Sequence, residues 1–128
     1  MDRQVFIDRT LETENLTGNL EDEDADTLIN WGIAQVNPLI EGIDDEETAA
    51  ERIDHLMHLM RQINRIAGNP SSVSREEINK FIKQYAKTFG KDHHVSEEER
   101  QALAKKISSM SSSEAMNYLL EWMQSKTQ

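Results

Sequence analysis

Residues 45–67 read DEETAAERIDHLMHLMRQINRIA, and this stretch decides the fold. Ala49, Ile53, Leu56, Met60, Ile63 and Ala67 recur at alternating steps of four and three, which stacks them on one side of an α-helix. Met57, Leu59 and Ile66 flank that seam on both sides. So wide an apolar face needs several neighbours, so the stretch predicts a central helix with others packed round it. Gly68 and Pro70 follow directly; the glycine predicts a left-handed stop and the proline blocks continuation.

The elements on either side are read from helix-start signals. Asp44 is followed three residues on by Glu47, Ser74 by Glu77, Ser96 by Glu99 and Ser111 by Glu114. In each pair the first side chain can accept from an open amide of the first turn, and the glutamate can reach back to the capping residue's own amide. After Ser74 the stripe is Ile78, Ile82, Tyr85 and Phe89, closed by Gly90, with Val73 placed to staple onto Ile78. After Ser96 it is Leu103, Ile107 and Met110; after Ser111 it is Ala115, Leu119 and Trp122, with Leu120 and Met123 alongside. Upstream, Ala25, Ile29, Ile33, Val36, Ile40 and Ile43 predict a helix opening near Leu20, with the acidic run Glu21 to Asp26 at its start, where the helix dipole favours negative charge. Pro38 lies inside that pattern and predicts a kink or break near Asn37.

The expected class is therefore all-α: a compact bundle of five to six helices around a central helix near residues 45–67. Residues 1–19 read as an arm or short helix, 20–124 as one helical domain and 125–128 as a frayed tail. The length, 128 residues, suits one core.

Composition excludes several classes of chemistry. There is no cysteine, so disulfides, thiolate zinc sites and a cysteine nucleophile are ruled out. No apolar run approaches the ~18 residues of a membrane helix. Met1-Asp2-Arg3-Gln4 opens without a basic region leading into an apolar stretch, so no secretory signal is expected and a cytoplasmic location fits. Net charge is −10 and unevenly placed: residues 1–51 hold 15 acidic and 2 basic side chains, whereas residues 52–128 hold 9 acidic and 12 basic ones. The acidic front half repels nucleic acid and anionic lipid.

Motifs for catalysis are absent from the sequence. Its serines stand at caps and turns, and neither a Gly-x-Ser-x-Gly elbow nor a phosphate loop occurs. His55 and His58 lie three apart, each four residues after a carboxylate, Glu51 or Asp54, but the seam through Ile53, Leu56 and Met60 turns both toward solvent. Thr88 to Glu99 resembles the calcium loop of EF-hand proteins, with Val95 at the hydrophobic eighth position and Glu99 as the terminal ligand. Thr88 and Gly90 stand where the first two carboxylates belong and His93 replaces the glycine, so no calcium site is expected. No cofactor or metal is expected either.

What remains is binding. Trp31, two residues past Ile29 and off the main stripe, is a candidate interface anchor, or else a cover for a neighbouring helix. Val5, Phe6 and Ile7 form a second apolar candidate. Lys80, Lys83, Lys87 and Lys91 make a basic stripe opposite the buried one, a solvated face or a dock for acidic groups. The expectation is a small acidic, non-enzymatic domain that binds another protein. An acidic mimic of nucleic acid that occupies a basic partner, and a helical bundle with a weak metal or small-ligand site, are the alternatives. A homodimer stays open, since the central apolar face is wide.

Overall fold

The computed structural model describes residues 16–90 and 94–127. These form five α-helices and no strand: α1 (Asp22–Ile40), α2 (Glu46–Gly68), α3 (Arg75–Phe89), α4 (Glu97–Ser108) and α5 (Ser112–Thr127), with a 3-10 turn (Pro70–Ser72) between α2 and α3. The central position of α2 is as expected: α1, α3 and α5 all pack on it. Ile53, Leu56, Leu59, Met60, Ile63 and Ile66 are fully buried, and Ala49 and Met57 nearly so. Each fully buried side chain of this size contributes about 1.5–3 kcal/mol, so this face outweighs any single cap or ion pair in the molecule.

Three of the four start residues cap as read, two of them reciprocally, while at Ser96 the glutamate turns to Lys126 and does not reach back. Ser74 and Glu77 form a reciprocal capping box, Ser96 Oγ accepts from the Glu99 amide at 3.1 Å, and Ser111 and Glu114 exchange bonds of 3.1 and 3.2 Å. The exception is the start of α2, where Asp45 caps in place of Asp44. Asp45 accepts from the Glu47 and Thr48 amides and, at 2.6 Å, from the Thr48 hydroxyl. That third donor favours the later residue.

The stripe of α1 differs from its expected register. Asp24, Leu28, Gly32, Val36 and Leu39 face inward, while Ile29, Ile33 and Ile40 are half-buried at the flank. Two of the five inward positions carry no apolar side chain, so hydropathy alone drew the stripe toward the isoleucines. Pro38 does not break the helix, which runs on to Ile40. Proline there removes one amide bond within the last turn, next to the end where carbonyls already lack helical partners.

The glycines divide in role. Gly90 closes α3 in the left-handed conformation (φ 63°), as expected. Gly68 does not: it belongs to the helix, and positive φ among the described residues occurs only at Gly42 and Gly90. A Cβ at Gly68 would lie 2.4 Å from Asn19 Cβ and 2.8 Å from Asn19 O, so this glycine lets the preceding segment cross the end of α2. Beside it, the amide of Asn19 donates to the buried Asn64 Oδ1 at 3.1 Å, and Leu16 is fully buried in the core. Residues 1–15, which hold Val5, Phe6 and Ile7, lie outside the described residues.

The last helix runs to Thr127, past the expected onset of fraying at 125. Ser125 Oγ donates to Trp122 O at 2.7 Å, and Lys126 Nζ pairs with Glu99 of α4 at 2.6 Å, which ties this end down.

Candidate functional site

The first and last helices run side by side in the same direction. At their N-terminal ends the Ser113 hydroxyl donates to the buried Asp24 carboxylate, 2.9 and 3.0 Å from its two oxygens. One turn or more further on they part enough to leave a groove of about 500 Å³ open to solvent. Trp31 and Gln35 of α1 form one wall; Asn117, Leu120, Glu121 and Gln124 of α5 form the other. Tyr85 and Phe89 of α3 make the floor with Met123. A second hollow of about 420 Å³ continues past Gln35 and Phe89 toward Pro38, Leu39 and Arg52.

Trp31 combines both roles considered for it. Its ring meets Phe89 edge-on at 6.4 Å, so it covers the end of α3, yet it remains half-buried. Phe89 and Leu120 are likewise half-buried. Three large apolar side chains from three helices are thus partly open to water around one hollow. Phe89 continues inward to Tyr85 at 5.3 Å and Tyr85 to Trp122 at 5.6 Å, tilted and edge-on, so the floor is a run of aromatic contacts anchored in the core.

The groove's polar groups are amides, one carboxylate and one phenol. Tyr85 OH lies 3.4 Å from Met123 O, and burial pushes its pKa above the ordinary range, so it remains a protonated donor at neutral pH. Arg52 donates to Leu39 O at 3.2 Å. These groups can orient a bound segment; among the described residues none pairs a nucleophile with a base.

The lysine stripe stands apart from this groove. Lys80, Lys83 and Lys87 are exposed on the face of α3 opposite Ile78, Ile82 and Tyr85, and Lys80 lies 3.6 Å from Glu76. Lys91 lies outside the described residues. Phe89 falls in the buried stripe expected for α3 and Leu120 beside that of α5; helical phase alone does not reveal that their outer edges stay uncovered.

Among the described residues the histidines form no cluster. His55 Nε2 lies 3.7 Å from Glu51, and His58 Nδ1 lies 3.1 Å from Arg61 on the exposed side of α2. His55 is partly covered, because its carbonyl takes bonds from Thr88 and Gln84 of α3 at 3.0 and 3.1 Å. Among the described residues no three His, Asp or Glu side chains gather as a ligand set. Thr88, first position of the calcium-loop likeness, is buried in the α2–α3 contact, and Glu99, its last, is paired with Lys126.

No family model, curated protein or solved structure matches this chain. No helix among the described residues is long and apolar enough to cross a membrane.

Proposed function

We propose that the chain is a cytoplasmic, non-enzymatic domain that binds another protein through the Trp31 groove. The observation that carries this reading is the joint partial exposure of Trp31, Phe89 and Leu120 around one hollow. Aromatic residues seated at the edge of a core and open to solvent are the side chains that dominate binding energy at protein interfaces. A hollow floored by aromatics and Met123, with amides on its walls, suits an apolar anchor from a partner with polar groups bordering it. Self-association through α2 is not needed to cover its apolar face, since one chain buries it.

Low-salt affinity capture from the native host tests the reading, with Asn117→Arg as comparison. Asn117 is exposed on the groove wall, so the variant fills the hollow while leaving the core alone. Proteins retained by the wild type and lost from the variant are expected. Capture of nothing, or equal capture by both, counts against it.

A further inference from the structure

We propose that the partner segment is a basic amphipathic helix, lying in the groove between α1 and α5. This rests on the protein-binding reading and adds the chemistry of the ligand. The groove has one wall from α1 and one from α5, and a groove between two helices is a shape in which a third helix seats its apolar side chains. Along α5, from Asn117 to Gln124, the groove spans roughly 11 Å, which is two turns of a helix and room for anchors at i, i+4 and i+7. The partly open Trp31, Phe89 and Leu120 are the surfaces those anchors cover.

The one charged side chain that lines the groove between α1 and α5 is acidic. Glu121 lines the groove, and Glu114, seven residues earlier, lies on the same face of α5 and is exposed. Glu23, eight residues before Trp31 on α1, is also exposed. The Asp24–Ser113 bond brings these two helix starts together, so Glu23 and Glu114 flank the same end of the trough. No described lysine lines either hollow, because the lysines of α3 point the opposite way and Lys126 is held by Glu99. Arg52 lines only the adjoining hollow, which no α5 residue borders, and it donates there to Leu39 O. A net charge of −10 adds long-range attraction for a cation-rich segment.

A displayed library of helical peptides, randomised at both apolar and charged positions, is selected against the full chain. Enriched peptides are then titrated against wild type, Leu120→Ala, Asn117→Arg and the double variant Glu114→Gln/Glu121→Gln. The glutamines keep the Ser111 cap geometry, and circular dichroism checks that each variant is folded. Enrichment of apolar residues at helical spacing flanked by Lys or Arg is expected. Binding should weaken about tenfold in the glutamine variant and fall with added salt. Peptides that need Leu120 and Asn117 but are neutral or acidic, and bind the glutamine variant equally well, overturn the charge assignment and leave the protein-binding reading standing. No peptide sensitive to Leu120 or Asn117 overturns both. Sedimentation showing a wild-type dimer that Asn117→Arg dissociates also overturns the proposal, because the occupant is then a second copy.

Discussion

Replacing Gly68 with alanine adds one methyl group and sets two effects against each other. Helix propensity favours alanine over glycine by about 1 kcal/mol. Against this, the new Cβ meets Asn19 Cβ at 2.4 Å and Asn19 O at 2.8 Å, neither of them the free end of a flexible side chain. Overpacking of this kind costs about 1–3 kcal/mol. The clash wins, so Gly68→Ala should lower the urea midpoint; a raised midpoint would show that the crossing of Asn19 is not tight. Two exposed caps contribute to the acid limb of stability. Hydrogen bonds from Thr48 and Glu47 hold Asp45 below its ordinary pKa, and bonds from Ser111 do the same for Glu114. A carboxylate depressed in the folded state contributes stability that is fully present above its unfolded pKa, near 4 for these types, and lost as pH falls through the folded value. Melting temperature should therefore drop below about pH 4. The double variant Asp45→Asn/Glu114→Gln should start lower at pH 7 and show a shallower acid slope. Parallel slopes would remove these two caps from the account.

Among the elements, α4 is held differently from the rest. It buries Leu103 and Ile107, against the ten buried residues of α2. Besides the partly buried Ala104 and Lys106 over the Tyr118 ring, its ties are polar: Arg75 to Glu97, Glu99 to Lys126, and Arg100 to Asn79 at 2.8 Å and to Val95 O at 3.0 Å. Few buried contacts with several partly exposed polar ones mark a unit that opens on its own. Amide exchange in α4 should run at least about tenfold faster than in α2, and added salt should widen the gap by screening the ion pairs. Equal protection in the two helices would show that α4 opens only with the whole molecule. Most of the elements were legible in the sequence because capping and periodicity are local. Serine followed at three by glutamate places a helix start from interactions within one turn. The register of α1 was not legible, because Asp24 and Gly32 face inward for reasons that lie elsewhere in the chain. Asp24 is drawn in by Ser113, 89 residues away.

For the whole molecule, one core joins elements distant in sequence, from Leu16 to Met123. Trp122 lies in that core and Trp31 at its edge, so tryptophan fluorescence and far-ultraviolet dichroism should report a single coincident urea transition. Its slope should be about 1–2 kcal/mol/M. Two separated transitions would show that α1 or α4 forms a distinct folding unit. The candidate site belongs to this scale. Trp31 was identifiable as a residue off its stripe, yet its meaning required three helices: α3 to bring Phe89 under it, α5 to bring Leu120 opposite, and the Asp24–Ser113 bond to set the two walls side by side. By itself the sequence determined the class, the helices formed among the described residues and the apolar side of α2. All of these follow from the 3.6-residue repeat and from bonds made within a turn. Tertiary structure alone decided which way α1 faces, that Gly68 is a crossing point and not a stop, and where apolar surface is left open. Those depend on which helix packs beside which, and a periodic pattern states how much surface a helix must bury but not which neighbour buries it.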